Sequence, residues 1–312
     1  MIQPQALSII NEVRKAIVGK DTVVCKVLMA MLAKGHILLE DNPGVGKTTM
    51  ALAFSKAMGL SYTRVQFTPE VMPTDVIGYS VYNSRTGEME YRPGAVMSNL
   101  FLADEINRTS AKTQSALLEA MEEGQVTVDG ITHPLPRPYT VIATQNPLGS
   151  AGTQPLPESQ LDRFMLRLSI GYPTPEQEIQ VLKQTEGQRP VDGLQRTCSL
   201  EDLAAMQEEA AQVHVADDIY RYVQKLCTAT REHHLTRLGA SPRAGGALVR
   251  VCRASAWMAG RDYVIPADVA LLFYNVMEHR LVLDPQARLG GRDAHGVLEE
   301  IFREVQAPKL VG

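Results

Sequence analysis

Leu38-Leu39-Glu40-Asp41-Asn42-Pro43-Gly44-Val45-Gly46-Lys47-Thr48-Thr49 reads as a buried strand, a glycine loop and the first turn of a helix. Such a junction gathers the N–H groups of the loop and of the helix N-terminus on one spot. The helix dipole is positive there, so the junction cradles phosphate. Gly44 and Gly46 let the backbone curl close to an anion with no Cβ in the way. Lys47 is placed for β- and γ-phosphates, and the Thr48 hydroxyl for Mg²⁺. The general pattern has glycine six residues before the lysine, and here that residue is Asp41. Taken alone, the departure leaves two readings open: a distinct subgroup of nucleotide hydrolases, or an ordinary strand–loop–helix turn.

The sequence on either side sets the cradle in an alternating pattern. Upstream, 4–18 has helical spacing with Leu7, Ile10, Val13 and Ile17 on one face, and Gly19 stops it. Asp21 is placed to cap a second helix that runs to Gly35. His36 to Glu40 is the strand feeding the loop, and Thr48 to Met58 the helix leaving it. Strands are expected at 62–67, 99–103, 139–143 and 165–170, with a helix from Ser110 to Glu123. The run at 99–103 is continuously apolar, as in a strand buried on both faces. Strands alternating with helices predict an α/β fold with a five-stranded parallel sheet and helices on both faces. Two hairpins interrupt the alternation, one around Thr86-Gly87 and one around Asp129-Gly130, where Asp-Gly suits a tight primed turn. After Tyr172 no strand pattern is evident. Thr174 with Pro175 and Gln177 forms a capping box, and Ser199, Ser241-Pro242 and Pro266-Ala267-Asp268 open further helices. The last helix is read at 295–305. The boundary falls near Pro173, giving a core at 1–172 and a smaller all-α domain at 173–312.

A chain of 312 residues exceeds what one core usually supports, which agrees with two domains. The 31 basic and 35 acidic residues leave a formal charge of −4, which argues against bulk binding to nucleic acid or anionic membrane. Cys25, Cys198, Cys227 and Cys252 have no CxxC spacing and read as free thiols of a reducing compartment. The histidines lack metal-site spacing. No apolar run reaches membrane-spanning length and the start lacks a signal-peptide pattern, so a cytoplasmic protein is expected.

Three further strand ends carry chemistry. Leu100-Phe101-Leu102-Ala103-Asp104-Glu105 puts two carboxylates at the edge of the sheet where ligands bind in such folds. Asp104 fits a Mg²⁺ partner, mostly through water, and Glu105 a base that orients a water for attack on the γ-phosphate. Thr140-Val-Ile-Ala-Thr-Gln-Asn146-Pro147 places Asn146 to bond that water or the γ-phosphate, or simply to start a turn. Arg163 lies in Leu-Asp-Arg-Phe just before the last core strand. Arg243 lies in the first turn of a helix, where a cation opposes the dipole, so it suits an anion; for both arginines a surface salt bridge is the plain alternative.

Together these motifs resemble the AAA+ ATPases, and in wording the MoxR family among them. The resemblance rests on the phosphate loop 40–48, Phe67-Thr-Pro-Glu70, Tyr91-Arg-Pro-Gly94, Leu102-Ala-Asp-Glu-Ile-Asn-Arg108, the run 112–121, Ala143-Thr-Gln-Asn-Pro147 and Leu161-Asp-Arg-Phe164, and it covers essentially the whole chain. It accounts for Asp41, because an acidic residue is common there in this family. Asn42 stands where valine is common. The resemblance implies an AAA+ P-loop core with an all-α lid, binding ATP or ADP with Mg²⁺ through Asn42, Pro43, Gly44, Val45, Gly46, Lys47, Thr48, Thr49 and Asp104. It implies that Ile17-Val18-Gly19 contacts the adenine side and that Asn146 is sensor 1. Arg163 resembles the arginine finger, acting on the neighbouring subunit's ATP. Arg243 resembles sensor 2, reaching the γ-phosphate of its own subunit. The two hairpins resemble the helix-2 insert and the pre-sensor-1 hairpin, which line the pore of related rings. A hexameric homo-oligomer follows, with protein clients that include von Willebrand factor A domain proteins.

The leading expectation is therefore a ring ATPase that remodels partner complexes or assists metal-cofactor insertion. A nucleic-acid motor ranks second: a strand-tracking groove should be electropositive, yet the first insert balances Arg85 and Arg92 with Glu88 and Glu90, and the second sets Arg137 and His133 against Asp129. A monomeric P-loop kinase for a small molecule ranks third, since it needs neither an arginine from a neighbour nor pore hairpins.

Overall fold

The computed structural model describes residues 2–146, 156–185, 187 and 189–309. Pro147, part of the Asn-Pro turn read from the sequence, lies outside the described residues. The first half of the chain runs α1 (Pro4–Arg14), α2 (Asp21–Leu32), β1 (Ile37–Glu40), α3 (Lys47–Ala57), β2 (Tyr62–Gln66), α4 (Pro73–Ile77), β3 (Gly78–Asn83), β4 (Glu88–Pro93) and β5 (Leu100–Asp104). It continues through α5 (Ala111–Glu123), β6 (Gln125–Val128), β7 (Ile131–Pro134), β8 (Thr140–Gln145), α6 (Glu158–Leu161) and β9 (Leu166–Leu168). The second half holds α7 (Pro175–Thr185), α8 (Leu200–Gln212), α9 (Asp217–Glu232), β10 (Thr236–Leu238), α10 (Pro242–Met258), α11 (Pro266–Met277), β11 (Val282–Leu283), α12 (Pro285–Leu289) and α13 (Ala294–Glu304).

The five strands β2, β5, β8, β1 and β9 lie side by side in that order, all parallel. Successive residues of a strand point to opposite faces, and here both faces are core. Leu100 and Leu102 of β5 join one apolar cluster with α1, α2 and α3, while Phe101 and Ala103 join another with α5. The first cluster runs on without a break into α8, α9, α10 and α11, so the helical lid shares a core with one face of the sheet. β1 sits between β8 and β9, so the loop that follows it emerges at the C-terminal edge where the strand order switches direction.

Both hairpins form: β3 pairs antiparallel with β4, and β6 with β7. Asp129 and Gly130 both have positive φ, 50° and 80°, which is the primed turn that Asp-Gly favours. Tyr91 of the first hairpin stacks on His133 of the second, with ring centroids 3.8 Å apart.

Several local expectations shift. Leu7 is exposed; the buried stripe of α1 is Ala6, Ile9, Ile10 and Val13, because a helix lying in the corner between sheet and lid buries a different arc. Asp21 is the first helical residue of α2 rather than its cap, which is Lys20. The lid is helical except for one addition: β10 and β11 form a two-stranded antiparallel ladder, too short to leave an alternating pattern in the sequence.

Candidate active site

Gly44 and Gly46 have φ of +85° and +95°, the left-handed region that glycine enters without strain, and a Cβ on either would meet no protein atom within 4 Å. Both glycines therefore border open space rather than packed neighbours. Lys47 is the first residue of α3, so its N–H and those of Thr48 and Thr49 open the helix N-terminus. Asp41 fixes the loop from below. Its carboxylate is buried and accepts from Ser169 Oγ at 2.9 Å, from Gly171 N at 3.2 Å and from Ile170 N, all just past β9. Asn42 Nδ2 donates to the Tyr172 hydroxyl at 3.2 Å. Pro43 lies between these anchors and the glycines.

Lys47 Nζ crosses the loop to the carbonyls of Asp41 and Asn42, at 2.6 and 2.9 Å. Burial pushes its ammonium down from the ordinary lysine range, opposed by the charges of Asp41, Asp104 and Glu105. The lysine and the two strand-end carboxylates thus share one electrostatic environment. The register of β5 on β8 pairs Ala103 with Ala143, so the next residues, Asp104 and Thr144, are neighbours. The Thr144 hydroxyl donates to Asp104 Oδ1 at 2.6 Å and accepts from Glu105 N at 2.8 Å. Arg64 of β2 takes the other oxygen, Asp104 Oδ2, at 2.7 and 3.2 Å. Glu105 has a left-handed backbone, φ 56° and ψ 50°, unusual for a residue with a side chain and of the kind that collects at functional sites. Its carboxylate accepts from Arg108 at 2.8 Å. Asn146 follows the end of β8 at the same edge, its carbonyl accepting from Asn107 Nδ2 at 3.4 Å.

A cavity of about 490 Å³ opens beside the glycine loop. Ile17, Val18, Val45, Thr48 and Thr49 line it, while Gly19, between the lining residues Val18 and Lys20, accepts on its carbonyl from Gln177 Nε2 at 3.3 Å. The opposite wall is Val181, Gln184, Arg189 and Val191, from α7 and the segment after it. A site with apolar walls at one end and a glycine cradle with Lys47 at the other fits the base and phosphates of a nucleotide. The sequence reading lacked Thr144, Arg64 and this lid wall. Thr144 lay inside a cluster already singled out, whereas Arg64 and the wall depend on contacts between distant segments.

Arg163 and Arg243 are elsewhere. Arg163 precedes β9, and Met165 N donates to the carbonyl of His36, which precedes β1, so both residues mark the N-terminal edge of the sheet. That edge is about 13 Å below the cradle, the length of a four-residue strand. Arg243 joins it there. Glu122, near the end of α5, accepts from Arg243 Nη1 on one oxygen at 2.7 Å and pairs with Arg163 Nε on the other at 3.0 Å. Arg243, which the resemblance assigns to the γ-phosphate of its own subunit, is thus held by Glu122 at the edge away from its own cradle. Ser241 bonds Asp162 at 3.0 Å and so anchors the start of α10 at the N-terminal edge. His36 lies between strand and helix, accepting from Val141 N at 3.0 Å and facing the Met121 carbonyl at 3.1 Å. Burial, with the charges of Arg250 and Arg243, takes its pKa down to about 4, so the ring is neutral.

Comparison with known proteins agrees with this architecture. The profile of the ATPase family associated with various cellular activities (AAA) matches residues 36–166, and that of the AAA lid domain residues 228–301. The chain is 40% identical to Chaperone MoxR1 of Mycobacterium tuberculosis, over 96% of this chain and 82% of that one. It is 30% identical to Protein MoxR of Methylorubrum extorquens, over 96% and 94%. A crystal structure assigned as an ATPase from Cytophaga hutchinsonii superposes with a TM-score of 0.91 at 38% identity, covering 98% of this chain and 95% of that one. Family matches to core and lid, and relatives and a solved structure that match along nearly the whole sequence, show that the chain belongs to the MoxR family of AAA+ ATPases, enzymes that hydrolyse ATP.

Proposed function

We propose that this ATPase works as a hexameric ring in which ATP held by one subunit is hydrolysed with Arg163 and Arg243 supplied by the next. The observation that carries the reading is the location of both arginines at the sheet edge opposite their own phosphate loop, joined by one carboxylate. An arginine so placed serves its own nucleotide poorly and is available to a neighbour packed against that edge. In each subunit Lys47 and the loop N–H groups hold the phosphates, and Thr48 and Asp104 would hold Mg²⁺, which supplies neutralisation of phosphate charge. Glu105 orients the attacking water and Asn146 assists it. Arginines arriving from outside stabilise charge that develops on the transferred group.

The work done is remodelling of partner protein complexes, including clients with von Willebrand factor A domains or awaiting a metal cofactor. Support comes from the chaperone named among the relatives and from the two hairpins, whose Tyr79, Tyr82, Met89 and Ile131 side chains are exposed and apolar, suited to gripping protein rather than a phosphate backbone. Among the described residues no helix is long and apolar enough to cross a membrane. The four thiols are free, consistent with a cytoplasmic setting.

The test is specific ATPase activity across a dilution series, with particle size measured in parallel. Activity per subunit should rise steeply as rings assemble, and Arg163→Ala should bind ATP normally while losing on the order of 10³-fold in rate. Full activity in a demonstrated monomer would overturn the ring reading in favour of a small-molecule kinase.

A further inference from the structure

Beside the Glu122 bridge, between the sheet's N-terminal edge and α10, lies a cavity of about 160 Å³. Five cationic side chains line it against two carboxylates. The carboxylates are spoken for. Glu122 gives one oxygen to Arg163 and the other to Arg243, and Asp162 holds Arg280 at 2.6 Å. Lys34 pairs with Glu208 on the outer side. Arg250 is different: its residue is exposed, and its guanidinium makes no hydrogen bond or ion pair among the described residues. It follows Arg243 by seven residues, two turns of α10, so both arginines project from one face, with Ala247 between them leaving room. Burial and then the charge of Arg243 lower the Arg250 pKa, and burial lowers that of Arg280, with the charges of Arg243 and Arg250 adding to it against the pull of Asp162. Arg243 and Arg250 both reach solvent at the mouth of this small volume, so an anion can enter and meet them there.

We propose that Arg250 completes an oxyanion site with Arg163 and Arg243, and that its ligand is the terminal phosphate of the nucleoside triphosphate held by the adjoining subunit. The proposal rests on the ring reading above. It adds a third guanidinium, so that two arginines from one lid helix and one from the core converge on the group being transferred. A planar fork matches phosphate bidentately, which lysine cannot do.

The experiment compares full-length wild type, Arg250→Gln, Arg250→Lys and Arg163→Ala at concentrations where particle size shows complete assembly. Arg250→Gln should lower kcat on the order of 10²-fold, as for loss of one preorganised donor to a developing charge, with KM and calorimetric ATP affinity unchanged. Arg250→Lys should recover only part of that loss, and it carries the test should the glutamine variant fail to fold. Wild-type kcat in both Arg250 variants, with Arg163→Ala inactive, overturns the role of Arg250 and leaves the ring reading standing. Full activity of Arg163→Ala overturns the ring reading and this proposal with it. In a second arm, inorganic phosphate is titrated into dilute, unassembled wild type and Arg250→Gln while melting is followed. Saturable stabilisation of wild type only, combined with unchanged kcat in Arg250→Gln, would assign the cavity to a free anion and overturn the subunit-to-subunit source.

Discussion

Asp41 shows how one residue can be both an exception and an anchor. Where the general phosphate loop has glycine, its buried carboxylate takes three hydrogen bonds from residues just past β9 and so ties the loop to the neighbouring strand. Asp41→Ala should destabilise the protein by about 3 kcal/mol, because two backbone N–H groups lose an ionised acceptor. Urea unfolding measures this, and a loss within error of zero would mean that the loop is held by other contacts. The glycines, Lys47 and the carboxylate pair were legible because each follows an apolar run, and position at a strand end follows directly from sequence. Thr144 was less legible: its hydroxyl matters because it faces Asp104 across a parallel ladder, a relation between residues 40 positions apart. The edge that Arg243 approaches is hard to read for the same reason. Its helix turn was read correctly, but no local pattern tells which edge of the sheet the lid approaches, and Ser241 bonding Asp162 decides that.

At the scale of elements, the two hairpins were readable from their turns, Thr-Gly and Asp-Gly, yet their mutual contact was not. Tyr91 and His133 stack face to face at an interplanar angle of 12°, so the hairpins meet through one ring pair besides their bases. A double-mutant cycle with Tyr91→Leu and His133→Ala should give a coupling of about 1 kcal/mol in unfolding free energy. Additive single mutants would show that the hairpins move independently. The strands β10 and β11 escaped the sequence for a simple reason: with three and two residues they offer no period to detect, and they exist because the lid brings Thr236 beside Leu283. Leu7 illustrates the opposite difficulty. Its helix has a clear period, but small Ala6 rather than Leu7 fills the tight contact, and a search for large apolar residues passes over alanine.

Across the whole molecule, the lid touches both edges of the core. Its first helix and the segment after it wall the nucleotide cavity, and its later part reaches the opposite edge through Arg280. That guanidinium is buried and donates to Asp162 Oδ1 at 2.6 Å and to the carbonyls of Asp162 and Phe164 at 3.1 and 2.7 Å, enclosing the backbone that carries Arg163. Arg280→Met should cost about 3 kcal/mol, since Asp162 would keep a largely buried charge without its partner. Loss below about 1 kcal/mol in chemical denaturation would refute the clamp. The sheet has a consequence of another kind, for how such a sequence can change in length. Alternate residues of β5 belong to opposite halves of the core, and Asp104 is fixed by counting from Leu100. One residue added or removed there would exchange the two apolar clusters and turn the carboxylate away from Thr144. The solvent-facing tip between Asn83 and Glu88 obeys no such parity. Insertions and deletions can therefore gather in the hairpin tips, while the residue count of the central strands stays frozen.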